Sequence, residues 1–397
     1  MTKLDSYVEP PEQLAKPLEI EGRLLMNAGP NNMDNRVIAA MTQPIVHIMD
    51  KQFFQVQQDI CAGIRYVFQT RNHYSMAMTG SGSFAMEAGL CNLLEPGDTL
   101  LVAIHGYWGE RVASMGRKRG YNVVELKTKR HGNDVFTVQQ IEDAIKQCKP
   151  QLLYICHGDS TVCTLQPLEG IAQVCHDNGC LMMVDAILSL CCTPLNADQL
   201  DIDLVVGASQ KSLAAPPGLA LISLSDRAVR RLKNRTVDVD TFCLDFKLLA
   251  RAWCLDGDNN YQFMYHYSPA TVLLYALREA LAMVADEGLD NVIHRHRDAH
   301  QYLQQYMTEE LGLQLFVERP EYRLPGLLAV CVPEDVVSDK VVSYLNDKHR
   351  ITITGGLGPT FGKVWRLGFL GSNANRTSVQ KLCTALADAL IVLRNKN

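Results

Sequence analysis

Between positions 100 and 224 short apolar, β-rich runs alternate with stretches in which apolar residues recur every three or four positions. The runs 100–104, 123–126, 152–156, 181–184, 204–206 and 219–224 are expected to be strands, and 111–119 and 167–177 are examples of the helices between them. A further apolar run at 74–78 precedes this alternation and ends in a glycine-rich turn. Strands that alternate with helices in this way predict an α/β domain whose mostly parallel, seven-stranded sheet is covered by helices.

The pattern then changes. Two long helical stretches, 270–287 and 291–311, run without internal Gly or Pro. Beyond them, 313–317, 327–332, 351–353 and 364–369 read as strands, and 335–348 and 377–394 as helices, which predicts a smaller C-terminal α+β unit. A chain of 397 residues is too long for one ordinary core. The expected division is an N-terminal arm at 1–22, a large domain at 23–290 and a small domain at 291–397.

Composition narrows the class. The chain is 47% hydrophobic and 20% charged, as a globular protein is, with no low-complexity tract. Its net charge is −5 and no Lys/Arg stripe is visible, so nucleic acid is a poor candidate partner. The basic stretches at 127–130 and 227–235 read as solvated faces. The 13 cysteines are odd in number and include no Cys-x-x-Cys pair, which points to a reducing compartment. No apolar run approaches the roughly 20 residues that span a bilayer. The chain ends Asn395-Lys396-Asn397 rather than Ser-Lys-Leu, and the expected location is the cytoplasm.

Three short segments carry candidate chemistry. Thr79-Gly80-Ser81-Gly82-Ser83 feeds a helix, and free backbone N–H groups at a helix N-terminus suit a phosphate. By itself the motif is weak, and a plain turn is the alternative. A dinucleotide fingerprint would need an acid about 20 residues on, where this chain has Ala103-Ile104-His105. Asp185 ends an apolar strand, at the sheet edge where ligands bind, although such an aspartate also serves as a helix cap. Lys211 follows the next strand in Gly207-Ala208-Ser209-Gln210-Lys211 and precedes the stiff segment Ala214-Ala215-Pro216-Pro217-Gly218. A lysine that forms a Schiff base must be desolvated and rigidly held. A phosphate cradle, a carboxylate for a pyridinium nitrogen and a lysine for an aldehyde are together the anchors that pyridoxal 5'-phosphate requires.

These residues, with Asn92-Leu93-Leu94-Glu95-Pro96-Gly97-Asp98, Leu165-Gln166-Pro167-Leu168 and Gly355-Gly356-Leu357-Gly358-Pro359, resemble the class V aminotransferases, in their alanine–glyoxylate, serine–pyruvate and 3-hydroxykynurenine group. The resemblance runs from about residue 16 to about 386. It implies the fold-type-I architecture of pyridoxal-phosphate transferases and transamination of a small amino acid with a 2-oxo acid such as glyoxylate or pyruvate. It implies that Trp108 stacks on the cofactor ring, that Ser160 lies beside the ring's phenolic oxygen, and that Asp185 and Lys211 are the pyridine partner and the Schiff-base lysine. Ser81, Gly82 and Gln210 match the phosphate site, with Ser83 where the family has histidine. Tyr265 and Ser268 match a segment that reaches the phosphate from the neighbouring subunit, which implies an obligate homodimer. Arg366 matches the arginine that grips the substrate carboxylate, a task its planar fork suits.

The chain departs from the family around the substrate. Asn27-Ala28-Gly29-Pro30-Asn31-Asn32 stands for Gly-Pro-Gly-Pro-Ser-Asn, Thr161-Val162-Cys163 for Ser-Thr-Gly, and Ala214 for an asparagine. Asn27, Asn31 and His47, with Ser160 and Arg366, are therefore the expected substrate-side residues. A buried asparagine must find partners. The cofactor serves several reactions, so decarboxylation or elimination on another amino acid, or cofactor binding without turnover, stay open as alternatives. His294, His296 and His300 include a spacing that would suit a metal, but among Arg295, Arg297 and Asp298 they read as a solvated face, and no metal is expected.

Overall fold

The computed structural model describes residues 8–130, 132–256 and 264–394. The C-terminal tripeptide noted above lies outside them. Seven strands form the central sheet, in the order Tyr74–Thr79, Leu219–Leu224, Leu204–Ala208, Leu181–Asp185, Leu152–Cys156, Thr99–Ile104 and Asn122–Lys127. Only Leu219–Leu224 runs against its two neighbours; the other pairings are parallel. The inner strands are buried along their length, as continuous apolar runs covered on both faces should be, whereas the edge strand Asn122–Lys127 is half exposed. One large apolar cluster fills both sides of this sheet.

A second cluster is built on a three-stranded antiparallel sheet, Leu327–Cys331, Val364–Gly368 and Thr354–Gly355, packed with the helices Ser338–Lys348 and Arg376–Arg394. The helix Leu289–Gln305 contributes Leu289, Val292 and Ile293 to the first cluster and Ala299 and Leu303 to the second. Leu24–Leu25 pairs in parallel with Ile351–Thr352, and Met26 joins the second cluster, so residues 24–26 are bound to the C-terminal unit.

Several elements differ from the sequence reading. The expected strand 313–317 makes one isolated bridge, Leu315 to Val330, because only the N–H groups of Phe316 and Cys331 complete bonds along it. The expected helix 291–311 is α-helical over Leu289–Gln305 and then widens to a π turn, Tyr306–Glu310. His296 is not on a solvated face. It is fully buried between the carbonyl of Val292, 2.7 Å away, and the N–H of Gly371, which donates to it at 3.1 Å. Charged neighbours in sequence mislead here because a helix turns every residue away from the one beside it. Among the described residues no cluster of three or more His, Cys, Asp or Glu side chains could hold a metal, and no helix is long and apolar enough to cross a membrane.

Candidate active site

Strands that run in parallel deliver their C-terminal ends to one edge, and five of them end there in the segments singled out above. Thr79 leads into the turn at Gly80 and Ser81; Ile104 into Trp108; Cys156 into Ser160; the fourth strand ends on Asp185; Ala208 leads into Lys211. A cavity of about 170 Å³ at this edge is lined by Ser81, Gly82, Ser83, Trp108, Ser160, Asp185, Gln210 and Lys211, and also by Met86, Gly158, Ile187 and Leu188. Eight residues chosen from sequence thus share one wall system.

Lys211 stands on a turn closed by the N–H of Ala214, which donates to the Lys211 carbonyl at 2.9 Å, and by the Ser209 hydroxyl, which donates to Pro216 O at 2.6 Å. Its Nζ donates to Ala28 O at 2.5 Å. Burial, then the nearby Arg366 charge, lower its pKa to about 8, against a smaller raising effect of Asp185. The amine therefore gives up its proton more readily than an ordinary lysine, whose value is 10.5.

Asp185 is buried, and burial raises its carboxyl to about 6 even though Ile187 N–H and the Tyr154 hydroxyl each donate to it at 2.9 Å. Tyr154 was invisible to the sequence reading: it is a mid-strand residue whose neighbour across the sheet happens to be the strand of Asp185. Trp108 Nε1 donates to Ser160 Oγ at 2.7 Å, which fixes the indole edge. The turn beyond Ser160 is tied by Asp159 Oδ1, which accepts from Thr161 N–H at 2.7 Å and Val162 N–H at 3.3 Å. Asp159 also escaped the sequence reading. Its neighbour Gly106 has no room for a side chain: a Cβ there would lie 2.2 Å from Thr161 Oγ1.

The helix Gly82–Leu93 begins at the cavity, and Ser81 makes no side-chain cap, so the first N–H groups face outward from a positive dipole end. A Cβ on Gly82 would fall 2.4 Å from Ile187 Cδ1. Gln210 Oε1 is buried without a hydrogen-bond partner among the described residues. This donor set fits pyridoxal 5'-phosphate: an anion cradle, a carboxylate, a flat indole and a buried amine around one cavity.

The remaining expected residues do not line it. Arg366 is buried and donates through Nη1 to Ser160 O at 3.0 Å and through Nε to Gly355 O at 2.8 Å, with burial lowering its pKa. Asn27 is buried, and its Oδ1 accepts from Gly29 N–H at 2.7 Å; Asn31 Nδ2 donates to Lys211 O at 2.7 Å. His47 is exposed, its ring bonded to Met49 N–H at 3.2 Å. Tyr265, 57% exposed, and Ser268 bond to each other at 3.0 Å. Val162 and Cys163 are buried behind the wall, Cys163 with φ +56°.

Fold and site together define a pyridoxal-phosphate-dependent enzyme of the fold-type-I class. The family model for class V aminotransferases matches residues 24–372. The alanine–glyoxylate aminotransferase of Felis catus is 44% identical over 390 residues, 98% of this chain and 93% of that protein, and the one of Drosophila melanogaster is 36% identical over 386 residues. The crystal structure of an alanine–glyoxylate aminotransferase from Nostoc sp. superposes with a TM-score of 0.90 at 37% identity, covering 94% of this chain and 97% of that one. The chain belongs to the class V aminotransferases, and it is a pyridoxal-phosphate-dependent aminotransferase.

Proposed function

We propose that this enzyme moves the amino group of a small donor, alanine or a serine-like amino acid, to a 2-oxo acid, glyoxylate or pyruvate. The observation that carries the reading is the pairing of a buried, weakly basic Lys211 with a guanidinium, Arg366, that is held by two carbonyls and, although Asp159 is near enough to act on it, makes no salt bridge among the described residues. The relatives named as alanine–glyoxylate aminotransferases support the choice of donor and acceptor. Pyridoxal phosphate, when bound, supplies the electron sink that acidifies the substrate α-carbon.

The chain's own residues do the rest. Arg366 receives the substrate carboxylate, since its guanidinium fork matches that group's geometry. Lys211 Nζ would take the proton from the substrate α-carbon and hold it for the return transfer, a task for an amine whose pKa lies near working pH. With the cofactor bound, Asp185 would keep a proton on the pyridine nitrogen, Trp108 and Ser160 would flank the ring, and the Ser81–Ser83 turn with Gln210 would hold the phosphate. Tyr265 and Ser268 serve the phosphate in the neighbouring subunit of a homodimer. Apolar side chains spread along the N-terminal arm, with Val8, Leu14, Leu18 and Ile20 each at least 79% exposed, support such an association.

The test is spectroscopic. Alanine alone should discharge the visible absorbance of the holoenzyme once and stop, and glyoxylate should restore it. Continuous turnover of alanine without an oxo acid would identify a decarboxylase or lyase instead. Borohydride reduction and peptide mapping should place the pyridoxyl label on Lys211; a label on another lysine overturns the assignment.

A further inference from the structure

We propose that Asn31 is a positioning residue that, through the short segment it ends, ties Lys211 to the strand carrying Arg366. The proposal rests on Lys211 being the reacting lysine, as read above.

Residues 27–31 grip Lys211 at both ends. Ala28 O accepts from Lys211 Nζ at 2.5 Å, and Asn31 Nδ2 donates to the Lys211 main-chain carbonyl at 2.7 Å. Between these bonds Gly29, at φ +91°, lies so near the lysine stem that a Cβ would stand 2.7 Å from Lys211 Cδ. Asn27 Oδ1 pins the bend by accepting from Gly29 N–H.

The other side of the segment is fastened to the C-terminal sheet. Met26 N–H donates to Thr352 O at 2.9 Å, and Gly368 N–H donates to Met26 O at 3.0 Å. A Cβ on Gly368 would lie 1.9 Å from Asn27 O, so the strand and the segment touch backbone to backbone. Gly368 is two residues beyond Arg366 in the strand Val364–Gly368. The strand carrying Arg366 is thus joined to the amine through six residues of chain, 26–31.

Asn31 is a poor stabilising residue, which separates position from mere structure. The Lys211 carbonyl also accepts from Ala214 N–H at 2.9 Å, so losing the Asn31 amide leaves it paired. Asn31 Oδ1 is buried without a partner among the described residues, an arrangement that costs stability. Removing the side chain should therefore disturb where Lys211 sits more than whether the protein folds.

Asn31→Ala and the same-sized Asn31→Asp, which turns an acceptor toward the Lys211 carbonyl, test this in the holoenzyme. Mixed rapidly with saturating alanine, Asn31→Ala should discharge the cofactor absorbance about tenfold more slowly, the scale expected for a misplaced catalytic group. The α-deuterium isotope effect should rise, and half-saturation by alanine should stay within about twofold, because only the proton transfer is impaired. Asn31→Asp should fall at least as far. The thermal midpoint should not drop, while the apoprotein should capture added pyridoxal phosphate more slowly. An unchanged rate, isotope effect and capture rate in Asn31→Ala overturn the proposal. So does a lowered midpoint with loss of bound cofactor, or the failure of both variants to fold. If the wild-type chain is neither labelled at Lys211 by borohydride nor discharged by alanine, the underlying reading fails instead, whatever the variants do.

Discussion

Burial does opposite things to the two charged groups facing the cavity, and both effects lead to measurable pH dependence. It lowers Lys211 to about 8 and raises Asp185 to about 6 from an ordinary 3.8. For an acid whose folded pKa is raised, the stabilising contribution is complete below the ordinary value and is lost as pH climbs through 6. At pH 8 the ionised Asp185 therefore costs the cofactor-free protein about 3 kcal/mol. A pyridinium partner relieves that cost, so the rise in thermal midpoint on adding pyridoxal phosphate should be larger at pH 8 than at pH 5. Asp185→Asn should flatten this difference and slow the alanine half-reaction by about 10²-fold or more, as losing a preorganised charge does. Ala214 and Cys163 make a different point. Both hold left-handed backbone, φ +50° and +56°, at positions where the resembled family has asparagine and glycine, residues that tolerate it. Ala214→Gly should stabilise the protein by about 1 kcal/mol in denaturant titrations. A destabilised variant would show that the buried Ala214 methyl contributes more than the strain removes.

Elements matter here chiefly through where they end. The inner parallel strands were legible because each is built on an uninterrupted apolar run, and the turn at Gly80–Ser83 because glycine and serine leave few other uses for a strand-to-helix junction. Contacts between elements were not legible. Tyr154 meets Asp185 because their strands are neighbours in the sheet, although 31 residues separate them in the chain. Gly106 gives no sign in sequence that it is the point where the helix bearing Trp108 presses on the Asp159–Thr161 turn. Gly106→Ala should force these two apart, lower stability by about 1–3 kcal/mol, as overpacking does, and weaken cofactor retention on dialysis. Normal stability with normal retention would show that the turn yields without carrying Trp108 along. His296 and the stretch at 313–317 were misread for related reasons. Local charge and alternation describe neighbours along the chain, whereas burial and ladder bonds depend on what packs across it.

At the scale of the whole molecule, a single chain builds the cavity but leaves Tyr265 and Ser268 out of its lining. If the partner subunit brings them to the phosphate, light scattering should find a dimer, and Tyr265→Ala should remain folded and dimeric while binding pyridoxal phosphate about tenfold more weakly, the effect of one lost bond to a charged group. A monomer with full cofactor affinity would overturn that assembly. Much of this enzyme follows from residue order alone: the α/β class, the glycine-serine turn, Asp185 and Lys211 at consecutive strand ends, and through them the cofactor. Hydrophobic period and turn chemistry act over a few residues and can be read along a line. The placing of Arg366 behind Ser160, the Tyr154 bond to Asp185, and the hold of residues 27–31 on an amine some 180 positions away arise only when the strands assemble and residues 24–31 meet the C-terminal unit. Those contacts are set by the packing of distant segments, and distance in space is the quantity that sequence order does not carry.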